Sequence, residues 1–181
     1  MYKRQIEKLD KFETFIDDQI NNKTFEFFEL SDKIIVDRIK ESESFVLKVL
    51  DKPFKFDKKD EVQLDSEKLD FADDKRDLQD RWTKLLQLEV LKRAVAKQES
   101  QNKAKSKNDT VTLKSWKELE IEARAKVLKS YKERFHRLTQ LNQNDRFSYY
   151  LNSITGIFDP HTNYFPPKDK ENFDIEMSGR L

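Results

Sequence analysis

Apolar residues recur at helical spacing along most of this chain. Over residues 24–50 they keep to one helix face, at intervals of three, four and seven positions. The members of this face are Phe28, Ile35, Ile39, Val46, Val49 and Leu50. We expect the helix to end near Asp51, because Pro53 disfavours the helical conformation in the residue before it. A short amphipathic helix within residues 6–20 precedes it.

The middle of the chain predicts two longer helices. Between residues 73 and 101 the apolar stripe broadens along the helix, which indicates packing neighbours on more than one side. Ser115 and Glu118 have the spacing of a capping box, in which each side chain bonds a free backbone N–H of a helix start. A helix is therefore predicted from there to about residue 141.

A last helix is predicted near the end of the chain. It begins with Asn144 or Asp145 as its cap, and Gly156 is placed to end it. Its apolar face consists of Phe147, Tyr150, Leu151 and Ile154, at positions i, i+3, i+4 and i+7.

Two stretches lack helical spacing. Apolar residues alternate at a period of two within residues 52–70, which predicts a short extended or irregular insert. Residues 97–109 are polar and predict a solvated connection. The sequence therefore predicts an all-α protein of four or five helices packed as an irregular bundle. We expect a helical domain over residues 1–155 and a junction segment over residues 156–181.

Composition narrows the possible functions. With 36 basic and 35 acidic residues among 181, the net charge of +1 provides no field that would attract nucleic acid or an anionic membrane. The absence of cysteine excludes disulfides and thiolate metal sites. The opening MYKRQIEKLDKF has no apolar core of the signal-peptide type, so the protein is cytosolic or its targeting segment is missing.

Catalytic motifs are absent from the sequence. Its only glycines are Gly156 and Gly179, so it has no glycine-rich phosphate loop, and HExxH, GxSxG and Walker patterns are missing. Acidic residues mixed with lysines on helix faces are typical of solvated ion pairs. His136 has no Asp, Glu or second His at metal-ligand spacing. We therefore expect no cofactor, no metal and no catalytic residue.

The last 26 residues, GIFDPHTNYFPPKDKENFDIEMSGRL, contain both glycines, three of the four prolines and one of the two histidines. Asp159 and His161 lie two positions apart around Pro160, as an orienting carboxylate and a general base would. A base also needs a nucleophile or a bound water within reach, which two neighbouring side chains do not establish.

A structural interpretation of this segment explains more of its residues. Asp159 can cap a turn through its side chain, and residues 161–163 can bond to loop amides and carbonyls. Tyr164 would anchor the loop on the helices before Pro166 and Pro167 force an extended exit. We therefore favour a scaffold over a catalytic site.

The segment FDPHTNYFPPKDKENFDIEMS also resembles a known family. It is similar to the stretch that links the N-terminal helical domain to the PDZ domain in tail-specific, or C-terminal processing, proteases. The shared pattern is DPHT-N-Y, a Pro, a basic or polar run, Asn-Phe, an acidic residue and Met-Ser. SFVLKVLDKPFKFDKKDEVQLD, residues 44–65, resembles a helix end and Lys-Pro break that this family has upstream.

This resemblance implies a piece of a larger serine endopeptidase, truncated just before its PDZ domain. The family combines a signal peptide, a helical N-terminal region, a PDZ domain and a core with a Ser/Lys dyad, which cuts proteins recognised by apolar C-termini. No catalytic residue carries over to any position here, so the fragment alone should be inactive. The resemblance further implies a periplasmic or otherwise exported protein.

The role implied for the chain is non-catalytic: scaffolding, substrate gating or docking of an adaptor. Its partners would be the PDZ and catalytic domains of the parent protease, protein substrates and an adaptor protein. Phe173 and Met177 are expected to contact the missing domains. The predicted structural junction motif consists of Asp159, Pro160, His161, Thr162, Asn163, Tyr164, Phe173 and Met177.

Three other functions remain open at this point. The first is a free-standing helical module that binds proteins and has no enzymatic parent. The second is nucleic-acid binding through the lysines of residues 103–107 and the basic face of the helix predicted from Ser115 to about residue 141, which the near-neutral net charge disfavours. The third is hydrolysis by Asp159 and His161 within the chain itself.

Overall fold

The computed structural model describes residues 3–107, 110 and 112–179. These residues form seven α-helices and no β-strand. The helices are α1 (Lys3–Asp10), α2 (Ile16–Asn21), α3 (Glu26–Leu50), α4 (Lys75–Lys107), α5 (Trp116–Gln140), α6 (Gln143–Phe158) and α7 (Pro167–Ser178), with a 3₁₀ turn at Ser66–Lys68. The predicted all-α class is confirmed. The helix count rises to seven because one predicted helix is divided and an unpredicted one is added.

The divided helix is the first one. Between α1 and α2 the chain turns at Phe12, whose backbone N–H donates to the Leu9 carbonyl. The Phe12 ring is buried and packs edge-on against Phe27 of α3, with 5.8 Å between ring centroids. Burial of this ring against α3 explains the break in a stretch whose periodicity alone predicts one continuous helix.

Helix α4 is longer than the sequence pattern indicates. The polar connection predicted for residues 97–109 is wrong, because α4 continues to Lys107; residues 108 and 109 lie outside the described part of the chain. The stretch contains four Lys and two Gln, with one Glu and one Ala, and these residue types all favour helix. Gln101 also makes two 3.0 Å hydrogen bonds with the backbone of Lys114, one donated and one accepted, which attach it to the chain leading into α5.

Helix ends follow the predicted signals in part. Helix α3 ends at Leu50, and Ser115 caps α5 in the predicted capping box with Glu118. Helix α6 starts two residues earlier than expected, because Asn142 forms a capping box with Asp145. Gly156 does not end α6, which continues to Phe158. The domain limits at residues 1–155 and 156–181 stay predictions.

The core lies where α3, α4 and α5 pack together. Its buried side chains are Val46 and Leu50 of α3, Leu86, Val90 and Ala94 of α4, and Leu119, Ala123, Val127, Tyr131 and Phe135 of α5. The hydroxyl of Tyr131 donates to Glu89 on α4 at 2.9 Å. Burial, with this hydrogen bond, raises the pKa of Tyr131 to about 12.

A buried polar pair on α5 fixes the start of the irregular insert. Arg124 donates to the Leu50 and Asp51 carbonyls at the end of α3, at 2.9 and 3.2 Å. Its Nε donates to Glu120 at 2.9 Å, and the same Glu120 oxygen accepts the backbone N–H of Phe54 at 3.1 Å. Terminal carbonyls of α3 are thus satisfied by a neighbouring helix.

An ion-pair cluster joins α4 to the segment before α5. Glu122 accepts hydrogen bonds from Lys114 and Lys97, which together lower its pKa from 4.5 to about 2. Because the folded-state pKa is depressed, ionised Glu122 stabilises the fold above its ordinary pKa, and this contribution disappears as pH falls through about 2.

We therefore expect Glu122→Gln to lower the melting temperature near neutral pH and to match the wild type near pH 2. Thermal unfolding followed by circular dichroism across this range measures the difference. Glu99→Gln, on an exposed part of α4, controls for the loss of one negative charge. If the melting temperatures of Glu122→Gln and the wild type differed by the same amount at every pH, the stabilising role of ionised Glu122 would be contradicted.

Candidate domain-junction site

The helix that carries the junction, α6, is held to α3 by a partly buried ion pair. Arg146 donates from Nε and Nη2 to the two carboxylate oxygens of Asp32, the second at 3.2 Å. Its Nη1 donates to the carbonyl of Leu141, just before α6. The side chains of Arg146 and Asp32 are 21% and 10% exposed, and the hydrogen bond to Asp32 raises the pKa of Arg146. These contacts fix the direction in which α6 leaves the bundle.

An aromatic cluster covers the other side of this attachment. The ring of Phe147 packs edge-on against Phe25 and Phe28, at centroid distances of 4.8 and 5.0 Å. Tyr150 packs on Phe28 at 5.5 Å, and burial raises its pKa. Tyr164, beyond the end of α6, reaches back to Phe147 at 6.5 Å. The junction loop is thus anchored on the same cluster that holds α6 to α3.

The loop after α6 is shaped by the side chain of Asp159. Its Oδ1 accepts the backbone N–H of His161 at 2.9 Å, and its Oδ2 accepts the hydroxyl of Thr162 at 3.0 Å. The Asp159 carbonyl accepts the Thr162 N–H at 3.1 Å. This is an Asx turn, in which a short acidic side chain replaces backbone partners.

Two side chains of α6 hold the loop in place through hydrogen bonds. Asn152 accepts the backbone N–H of Tyr164 at 2.6 Å, and the hydroxyl of Thr155 donates to the Thr162 carbonyl at 3.2 Å. Pro160, His161 and Asn163 are exposed. The loop is therefore a fixed turn whose residues 159–163 are all exposed to solvent.

The arrangement does not assemble an acid and base. Within residues 3–107, 110 and 112–179, no hydrogen bond joins the side chains of Asp159 and His161, since the carboxylate is occupied by the turn. His136 is exposed on α5.

The described residues bring together no three His, Asp or Glu that could hold a metal ion. No described helix is long and apolar enough to cross a membrane.

The extended exit predicted at Pro166 and Pro167 is wrong, because α7 begins at Pro167. Proline is tolerated at the first helical position, where its missing N–H has no partner to lose. A salt bridge of 2.6 Å between Lys170 and Asp174 supports the helix, which ends at Gly179 with a φ of 62°. Only a residue without a Cβ adopts this left-handed conformation readily.

The end of α6 and the segment beyond it expose many large apolar side chains. Ile157 and Phe158 are 81% and 85% exposed, and Met177 is 73% exposed. The full set of these junction apolar residues is Ile157, Phe158, Phe165, Phe173, Ile175 and Met177. No described residue of α7 is buried, and α7 is not among the helices that pack closely on one another. Large apolar groups exposed together are typical of an interaction surface.

Sequence reasoning missed two features of this site. The ion pair between Asp32 and Arg146 joins positions 114 residues apart, so no local pattern reveals it. Helix α7 did leave signals, namely Pro167 at its start, Gly179 after its end and the Lys170–Asp174 pair four residues apart. The two prolines, Pro166 and Pro167, were interpreted as an extended exit instead.

We expect Asp159→Ala to open the loop. Losing both side-chain hydrogen bonds should cost about 1 kcal/mol locally, which raises the exchange rate of the His161 amide about fivefold. Hydrogen exchange followed by NMR measures this rate, with Asp159→Asn, which keeps an acceptor oxygen, as the control. Equal exchange in Asp159→Ala and the wild type would show that the turn does not depend on this side chain.

Comparison with known proteins identifies the family of the chain. The family described as the tail specific protease N-terminal domain matches residues 1–168. A protein named tail-specific protease, from Haemophilus influenzae, is 27% identical over 169 residues. The match covers 93% of this chain and 21% of that protein, so the chain spans about a fifth of its relative's length. The resemblance in the sequence is confirmed, and the chain belongs to the family of tail-specific protease N-terminal domains.

Proposed function

We propose that this chain is the non-catalytic N-terminal region of a tail-specific serine endopeptidase and that its C-terminal segment docks the PDZ domain of that enzyme. The observation that carries the proposal is the exposure of the junction apolar residues next to a loop fixed by Asp159 and Asn152. A fixed turn followed by exposed apolar side chains suits a surface that is covered by another domain.

The extent of the family match supports this assignment. The match ends at Lys168, one residue after α7 begins, so it includes the Asx turn and leaves out most of α7. The Haemophilus influenzae protein is about five times as long as its matched part, since that part is 21% of its length. Such a protein has ample length for PDZ and catalytic domains.

Within such a protease, this region would act by positioning. The catalytic Ser/Lys dyad and the pocket for apolar C-termini would lie in the other domains, and the 181-residue chain alone would be inactive. The bundle would shape substrate entry or present a docking face to an adaptor, and the enzyme would act in the periplasm or another exported location. These roles follow from the family resemblance.

A cleavage assay tests the proposal. We expect the full-length protease to degrade an unfolded substrate with an apolar C-terminus, and the 181-residue chain to leave it intact over the same time. Cleavage by the isolated chain, or none by the full-length protein, would contradict the proposal. In the second case a helical interaction module without enzymatic activity would explain the fold better.

Phe173→Ala tests the docking surface within the full-length protease. Phe173 is 49% exposed, so its loss should leave the bundle stable while weakening domain docking, and we expect activity to fall about threefold to tenfold. Ile121→Ala is the matched control, because Ile121 is 45% exposed on α5. Equal, full activity of both variants would count against a docking role for Phe173.

A further inference from the structure

A cleft of about 490 Å³ lies between the irregular insert and the first turns of α4, and none of its lining residues belongs to the junction. The large apolar side chains that line it are Val62, Leu69, Phe71, Leu78, Trp82 and Leu85. Leu69 and Phe71 are 43% and 51% exposed, although they lie beside this concave surface. The cleft is therefore open to a ligand with apolar side chains.

One wall of the cleft includes Glu61, Val62 and Gln63, which belong to a strip of chain, residues 58–64, with open backbone groups. Residues 58–64 have no regular secondary structure, and among the described residues their N–H and C=O groups make no hydrogen bond. The strip is attached to the core at one end, where the Lys55 carbonyl accepts a 2.7 Å hydrogen bond from Gln87. An extended peptide can pair with such a strip through its own backbone.

The charge around the cleft is acidic. Four carboxylates line it, Glu61, Asp70, Asp77 and Asp80, against two cations, Arg81 and Lys84, a net charge of −2. The two cations are paired with two of these carboxylates, Arg81 with Asp77 and Lys84 with Asp80, each at 2.8 Å. Among the described residues, the side chains of Glu61 and Asp70 form no ion pair, so they supply the acidic character of the cleft. A ligand with positive charge is therefore favoured over one with negative charge.

We propose that this cleft binds an extended segment of unfolded polypeptide that combines bulky apolar and basic side chains. The apolar side chains occupy the space beside Trp82, the peptide backbone pairs with residues 58–64, and the basic side chains lie against the acidic rim. This site is separate from the junction and does not depend on the proposed docking of a PDZ domain.

A peptide-binding measurement tests the site on the 181-residue chain. The probe is a fluorescently labelled nonapeptide of alternating Leu and Lys with one central Phe and blocked termini, followed by fluorescence anisotropy. We expect saturable binding that weakens at least about tenfold when Glu replaces Lys in the peptide, and at least about tenfold when alternate peptide nitrogens are methylated.

Variants of the chain locate the binding. Phe71→Ser and Leu69→Asp should each weaken binding at least about tenfold, and Ile121→Ser, at a similarly exposed apolar position on α5, should not change it. Phe71 and Leu69 are exposed, and circular dichroism checks that both variants remain folded. Binding that is unaffected by both variants, or equal for the Lys and Glu peptides, would overturn the proposal. Self-association of the chain that is abolished by Phe71→Ser would assign the cleft to a second copy instead.

Discussion

Replacing Arg146 with methionine is expected to lower the free energy of unfolding by about 3 to 5 kcal/mol. The substitution keeps the length of the side chain but leaves the Asp32 carboxylate, which is 10% exposed, without its cation. The Leu141 carbonyl loses its donor as well. A buried charge without a partner is costly because the desolvation penalty remains after the attraction is removed.

Urea denaturation followed by circular dichroism measures this loss. Lys129→Met is the matched control, since Lys129 is 80% exposed and its contact with Glu133 is 3.9 Å long; it should change stability by less than about 0.5 kcal/mol. Replacing Asp32 with leucine in the Arg146→Met background should restore part of the stability. If Arg146→Met were no more destabilised than Lys129→Met, the ion pair would not hold α6 on α3.

Replacing Leu86 with alanine is expected to lower the free energy of unfolding by about 2 to 5 kcal/mol. Leu86 lies on α4 and is completely buried in the core between α3 and α5. Removing its branched end takes apolar contacts away from both neighbouring helices and leaves a cavity where the three helices meet.

The same denaturation experiment on Leu64→Ala supplies the control. Leu64 is 60% exposed in the insert, so its truncation should cost less than about 0.5 kcal/mol. The loss of unfolding free energy is therefore predicted to be several times larger for Leu86→Ala than for Leu64→Ala. Equal destabilisation would mean that the three-helix core does not carry the stability of the domain.

Local chemistry made part of this fold predictable. Pro53 marked the end of α3, and Ser115 with Glu118 marked the start of α5, because each signal acts within one helical turn. The broad apolar stripe of residues 73–101 predicted a helix with neighbours on two sides, and α4 packs against both α3 and α5. The all-α class followed from the same periodicity.

Features that depend on distant contacts were not predictable. The break at Phe12 is explained by a ring contact with α3, and the attachment of α6 depends on Asp32, far away in the sequence. The continuation of α4 to Lys107 was missed because a polar stretch without apolar spacing resembles a connection. At the candidate site, the role of Asp159 in the turn was anticipated, whereas the helix that follows Pro166 was not.

We infer that the segment after α6 is an interface with the remaining domains of a tail-specific protease. Hydrogen exchange with mass spectrometry, on the 181-residue chain and on the full-length protease, tests it most directly. We predict that amides of residues 157–178 exchange at least about tenfold more slowly in the full-length protein, because docking covers the exposed face of α7. Equal exchange of this segment in both proteins would contradict the account.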